Sequence, residues 1–305
     1  MNTKRFLQNA FYPFASNRLN NDLESQYSKP VKSIYGFYHV YAVNHWKDIV
    51  LEQINDIKKS GLHKTTTKIF VSLVSTNIDS DIAFLKRVIG DKLQIIFTGS
   101  DPKVYEYPAL EYLYNMSQES ATSFYAYYFH TKGSSNCAES LKWYAPQIKT
   151  LEKLLRISAD ARRLMSYWNF QRWHLAVSVL QNGFADCYGT NYTLQLPNKQ
   201  YYAGNFWWAK SELIRSRKPF TLEDKQWRYT AETWLLDGVH DNFYNTYRLN
   251  FGLHQISLPY NFFSHKFLVR IACKMGVYFK CQAWGGVKYC TIFTQKLNHF
   301  LHKQQ

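Results

Sequence analysis

The sequence predicts an α/β fold: a single domain built on a Rossmann-like, mostly parallel central sheet flanked by helices. Three observations lead there. Strand-like and helix-like runs alternate roughly every 25–30 residues up to Phe129, the pattern of successive βαβ units. Glycines stand where the helical runs should stop, at Gly61 and Gly90. The chain of 305 residues, 46% hydrophobic and 18% aromatic, can bury a substantial core and is not a disordered polymer.

Taken in order, residues 1–30 are rich in Asn, Ser and Gln without periodicity and read as an N-terminal arm. Ile34 to Val43 reads as the first strand, and Asn44 then stands where a helix cap belongs. Trp46, Ile49, Val50, Ile54 and Ile57 recur at helical spacing, so a helix runs from about Trp46 to Ser60. Lys68 to Val74 is a β-branched second strand; Asp79 opens a short helix with Ile82, Leu85 and Ile89 on one face. Leu93 to Phe97 is a third strand, Pro108 to Ser117 a helix, and Phe124 to Phe129 a fourth strand. Beyond it, Glu139 to about Tyr167 is helical by pattern with a break near Pro146, and a second helix ends at Asn182-Gly183. Phe184 to Asn191 reads as a short strand and turn, and Tyr201 to Lys210 as one aromatic strand leading into a helix capped by Ser211. Ala231 to Asp237 is a last short helix, ended by Gly238.

The fourth strand carries the chemistry. Its aromatic run stops at His130-Thr131-Lys132-Gly133, and in an open α/β sheet ligands sit beyond the carboxyl ends of the strands. A histidine, a threonine hydroxyl, a lysine and a flexible glycine there suit an anionic ligand, most simply a diphosphate; a solvated turn with an incidental lysine is the plain alternative. The dinucleotide fingerprint GxGxxG, the phosphate loop GxxxxGK[ST] and the hydrolase elbow GxSxG are all absent, which lowers the standing of dehydrogenase, P-loop ATPase and serine-hydrolase readings.

Tyr128-Phe-His-Thr-Lys-Gly133, Ala203-Gly-Asn-Phe-Trp-Trp-Ala-Lys210 and Glu232-Thr-Trp-Leu235 come in that order. As a set they resemble bacterial glycosyltransferases of the GT-A fold that act on surface polysaccharides, over roughly residues 32–240. The resemblance implies a GT-A-like domain at 31–260, a nucleotide-sugar donor (a UDP-sugar favoured), and a glycan or lipid-linked acceptor in lipopolysaccharide or capsule synthesis. It departs in one respect. Such enzymes usually end the equivalent strand in Asp-x-Asp, which holds a divalent metal, whereas here His130-Thr131-Lys132 stands in that place. Lysine meets a diphosphate directly as a point charge, so the expectation is a metal-independent transfer with no cofactor; His130 could still ligate a softer metal. Asp79 and Asp81, at a helix start, are a remote alternative metal pair.

The resemblance and the strand ends together nominate the site. For the nucleotide and diphosphate, the residues are Val43, Asn44 and His45 after the first strand, Thr98-Gly99-Ser100-Asp101 after the third, and His130, Thr131, Lys132 and Gly133 after the fourth. Asn44 could equally be a cap, and Asp101 could begin the turn at Pro102. Catalysis falls to Lys132 and His130 for the leaving group, with Glu232 as first and Asp186 as second carboxylate. An apolar setting would raise the Glu232 pKa and suit a general base; a surface glutamate is the alternative. Gly204, Asn205 and one of Trp207 or Trp208 should line the sugar and acceptor pocket. Adjacent strand residues face opposite ways, and Asn205 shares its face with Trp207.

The formal charge of +15 is unevenly distributed: no acidic side chain follows Asp241, so residues 242–305 carry +8. A basic, aromatic extension over 261–305 fits an anionic membrane surface, or else a packed subdomain with a solvated basic face. No window is apolar enough to span a bilayer, so the expectation is a cytoplasmic protein, peripheral on the inner membrane face. Five cysteines without CxxC spacing indicate neither a disulfide framework nor a zinc site. A nucleic-acid-binding protein is the competing class, weakened by the absence of any binding motif; a non-catalytic carbohydrate-binding relative is a third.

Overall fold

The computed structural model describes residues 19–143, 148–196, 199–238 and 242–246. A seven-stranded sheet forms the centre, in the order β3-β2-β1-β4-β8-β5-β9. Its strands are β1 (Ser33–Tyr41), β2 (Thr66–Val74), β3 (Leu93–Gly99), β4 (Phe124–His130), β5 (Cys187–Gly189), β8 (Trp207–Lys210) and β9 (Phe243–Asn245). β1 pairs in parallel with both β2 and β4, and β3 runs parallel to β2. β8 is antiparallel to β4 and to β5, and β9 runs parallel to β5. Six strands therefore point one way and β8 alone the other. A small second sheet pairs β6 (Tyr192–Leu196) with β7 (Lys199–Tyr202).

Helices cover both faces. α2 (Trp46–Lys59) buries Trp46, Ile49, Val50, Gln53, Ile54 and Ile57, the stripe its periodicity predicts. With α4 (Ile78–Ile89), α6 (Leu151–Ser166) and α7 (Trp173–Gln181) it covers one face, packing on Tyr38, Val71, Tyr127, Phe129 and Trp208. The other face takes α5 (Tyr107–Glu119), α8 (Ser211–Arg215) and α9 (Arg228–Thr233), packed on Phe37, Phe70, Tyr128, Trp207 and Ala209. Alternation along β4 makes this sorting possible: odd and even positions feed different cores, each fully buried large side chain contributing about 1.5–3 kcal/mol. α3 (Leu62–Thr65) is a single turn leading into β2.

Several expectations change. Residues 19–25 form a helix, α1, that is docked rather than a loose arm: Leu23 is buried, Glu24 pairs with Arg172, and Asn20 donates to the Thr246 carbonyl at 3.1 Å. Residues 1–18 and the extension 261–305 lie outside the described residues. The aromatic strand expected over Tyr201 to Lys210 is two strands, because Gly204 (φ 94°) and Asn205 (φ 55°) turn the chain between β7 and β8. Ser211 does not cap α8; its hydroxyl accepts from the Phe124 amide and ties the helix start to β4. No helix among the described residues is long and apolar enough to cross a membrane.

Candidate functional site

The chain leaves β1 outward to β2 and β3 and then returns to place β4 on the other side of β1. That reversal is a topological switch point, where the loops after two neighbouring strands part and leave a crevice. The loop after β1 holds Val43, Asn44 and His45; the loop after β4 holds Thr131, Lys132 and Gly133. Because β8 is antiparallel, its beginning, Gly204-Asn205, lies at this same edge, opposite the end of β4.

Strain concentrates here. Asn44 (φ 51°), Tyr105 (φ 47°), Asn191 (φ 57°) and Asn205 (φ 55°) are all left-handed and all lie beyond this edge of the sheet. Asparagine tolerates that region, whereas an aromatic such as Tyr105 holds it only at a cost of about 1–3 kcal/mol. Tyr105 delivers Glu106, a residue the sequence reading did not nominate, to the centre of the site.

Glu106 organises the neighbourhood. Its Oε2 accepts from Tyr128 Oη at 2.7 Å and from Asn205 Nδ2 at 2.5 Å, and its Oε1 lies 3.6 Å from His130 Nδ1. Asn205 Oδ1 in turn accepts from Trp207 Nε1 at 2.8 Å, and His130 Nε2 donates to the Gly204 carbonyl at 3.0 Å. Behind this wall, Gln53 donates to the His130 carbonyl at 2.9 Å and Arg162 donates to the Lys132 carbonyl at 2.9 Å while pairing with Glu52 at 3.1 Å. The ends of β4 and β8 are thus held from both cores. The one sequence signal for Glu106 was its place just ahead of Tyr107-Pro108 at a helix start, which does not distinguish it from any other surface acid.

The nominated residues divide. Lys132 is half-buried and makes no ion pair among the described residues. Gly133 (φ 85°) is irreplaceable in its turn, since a Cβ would come within 2.9 Å of Ser158 Cβ. Glu232 is largely buried and faces Arg228 at 3.9 Å, so its surroundings are ionic rather than apolar; its charge and that of Arg228 both act on His130. These residues, with His130, Gly204 and Asn205, come together at one place.

His130 corrects an expectation. Burial and the neighbouring Lys132 ammonium lower its pKa to about 3, outweighing the bond to the Gly204 carbonyl and the Glu232 carboxylate. It is a neutral anchor at physiological pH and supplies no charge for a leaving group. Thr131 is also internal: its hydroxyl accepts from the Tyr41 amide at 3.0 Å and stitches β4 to β1. Asn44 is not the cap of α2, which begins after His45; its amide donates to the Ser134 carbonyl at 2.9 Å across the switch point. His45 is half-buried, its pKa lowered by burial and then by Arg162.

Trp207 and Trp208 do feed opposite faces, but both are buried. Trp207 is 1% exposed and stacks on Tyr128 at 5.1 Å, and Trp208 donates to the Asn169 carbonyl at 2.9 Å. Neither presents a face for a sugar, and Asn205, also 1% exposed, is no pocket-lining group: Trp207 and Glu106 fix its amide within the wall. Asp186 lies at the opposite end of the sheet, ahead of β5, paired with Lys210 at 2.7 Å and accepting from Asn242. It takes no part in this site. Thr98, Gly99, Ser100 and Asp101 end β3 at the correct edge, three strands or about 14 Å from β4. Asp101 accepts from the Lys103 amide at 2.8 Å and begins the turn. Asp81, of the remote metal pair, is buried against Ser75 Oγ at 2.6 Å and Lys47 at 3.6 Å. The end of β4 itself contributes an imidazole and an ammonium where Asp-x-Asp would contribute carboxylates, and the nearby Glu106 carboxylate is bonded to Tyr128 and Asn205.

No protein-family model matches the chain, and no curated protein matches it. Among solved structures, a 4-diphosphocytidyl-2C-methyl-D-erythritol synthase from Anaerococcus prevotii is similar at 9% identity, covering 72% of this chain and 90% of that one, with a TM-score of 0.34.

Proposed function

We propose that the protein is a nucleotide-sugar-dependent glycosyltransferase, with a UDP-sugar the favoured donor. Its acceptor would be a glycan or lipid-linked sugar of a bacterial surface polysaccharide, and its transfer needs no divalent metal. The observation that carries this reading is the group at the β1/β4 switch point: a lysine with no ion pair among the described residues and a left-handed glycine beside a carboxylate-fixed asparagine, with a second carboxylate close by. In this reading the nucleoside lies along the loops after β1 and β3, and its diphosphate meets Lys132 and the Gly133 backbone. The acceptor oxygen bonds to the anomeric carbon as the bond from that carbon to the diphosphate oxygen breaks. Glu232 takes the hydroxyl proton, and Lys132 offsets the charge that builds on the departing diphosphate. Glu106 and the Trp207 indole hold the buried Asn205 amide and so shape the wall of the site, while His130 keeps the Gly204 turn in place. The basic extension would bring the enzyme to the inner face of the cytoplasmic membrane, where a lipid-linked acceptor is found.

Lys132→Ala tests the assignment against Lys68→Ala, which removes an exposed cation elsewhere, bonded to the Asp91 carbonyl. Losing a charge-assisted contact costs about 1.5–3 kcal/mol, so nucleoside-diphosphate affinity should fall at least roughly tenfold in the first variant and hold in the second. Equal affinities in the two would remove Lys132 from the site.

A further inference from the structure

A diphosphate linked to a sugar carries two negative charges, and Lys132 supplies one positive charge. His130 is neutral, anchored to the Gly204 carbonyl. Arg162 is buried, with its guanidinium committed to Glu52 and to the Lys132 carbonyl. Arg228, on the first turn of α9, is different: its side chain is 59% exposed, and its partner Glu232 stands at 3.9 Å, the outer limit of an ion pair.

α9 is held in place independently of that pair. Tyr107 Oη lies 2.6 Å from the carbonyls of both Asp224 and Trp227 and shares its one proton between them, fixing the loop that enters the helix. Asn205 Nδ2 lies 3.4 Å from the Ala231 carbonyl, so the helix is joined to the residue that Glu106 positions. The guanidinium rests over the Tyr229 ring at 5.3 Å, which lets it turn without losing its support. Arg228 and Lys132 both lie close enough to His130 for their charges to act on it.

We propose that Arg228 is the second cation of a diphosphate clamp, leaving Glu232 to join Lys132 on the phosphates when donor binds. The guanidinium fork can engage two phosphate oxygens at once, a geometry that an ammonium cannot offer, and it restores the charge balance that a missing metal would otherwise provide. This assignment rests on the proposed function, because it presumes a nucleoside diphosphate in the crevice.

The test is calorimetric titration of the full-length protein in EDTA with UDP, GDP and CDP, followed by the parent nucleoside of whichever binds. Arg228→Gln should lose about tenfold or more in diphosphate affinity and less than about threefold for the nucleoside, and Arg228→Lys should recover part of the loss. Arg228→Gln binding the diphosphate within about twofold of the parent protein overturns the clamp and leaves the transferase reading intact. If the parent protein binds no nucleoside diphosphate, both fall. Because Arg228 is exposed, the variant folds normally, and an unchanged melting temperature checks this.

Discussion

His130 and His39 sit side by side at the ends of β4 and β1, both buried and both held neutral, with pKa values lowered to about 3 and about 4 by desolvation. As pH drops below the ordinary histidine value of about 6.5, the unfolded chain takes up protons that the folded chain refuses. Stability contributed by these two groups is therefore full above about pH 6.5 and is lost as pH falls toward their folded values. Asp56 opposes them, since burial pushes its pKa up to about 6 and it gains protons on folding in the same range. A comparison of variants separates the two effects. His130→Asn, whose amide can still donate to Gly204, should lose about 2 kcal/mol less than the parent protein between pH 7 and pH 5 in urea unfolding. Identical pH dependence would mean that His130 titrates in the folded protein as it does in the unfolded chain. Glu106, Asn205 and Trp207 show how little of such a site a sequence displays. The motif around Asn205 drew attention to it, but its partner stands ninety-nine positions away and belongs to no pattern. Trp207 was legible as a neighbour of Asn205; its burial was not, because an indole donor and a stacking platform look the same in a string of letters.

At the level of elements, the first four strands and the helices between them could be read almost directly, since buried parallel strands are continuous apolar runs and amphipathic helices have a period. α2 starts at Trp46 as its stripe requires, and β4 ends at His130, where the polar residues begin. The second half was harder. β5 and β9 are three residues each, too short to show alternation, and the turn at Gly204-Asn205 is hidden inside an aromatic run. Close packing between strands gives a direct test of the sheet. Gly36 faces the Tyr127 ring, where a Cβ would come within 2.6 Å of Tyr127 Cζ and Oη. That tyrosine is fully buried, and its hydroxyl bonds Thr66 at 3.1 Å, so it cannot swing aside cheaply. Gly36→Ala should cost about 1–3 kcal/mol in denaturant unfolding with an unchanged m-value. A neutral substitution would show that β1 and β4 are less tightly packed than described.

For the whole molecule, the sheet order decides where chemistry can happen, and the charge decides what the molecule meets. The order β3-β2-β1-β4 makes a switch point between β1 and β4, and the residues singled out after those two strands fall on its two sides. Asp186, nominated from a local pattern alone, falls at the other end because nothing in that pattern encodes strand direction. The +8 carried by residues 242–305 belongs to the proposal of membrane docking. Full-length protein should co-sediment with vesicles containing phosphatidylserine and be released by raised salt, whereas neutral vesicles should leave it in solution. Equal partitioning onto both kinds of vesicle would end the electrostatic docking proposal. The central claim, that a nucleoside diphosphate binds at the β1/β4 switch point without a metal, is met most directly by titrating the protein with UDP, GDP and CDP, each in EDTA and in Mn²⁺. The account predicts binding of one nucleotide with the same affinity in both conditions, and loss of it in Lys132→Ala; binding that appears only with Mn²⁺ would contradict it.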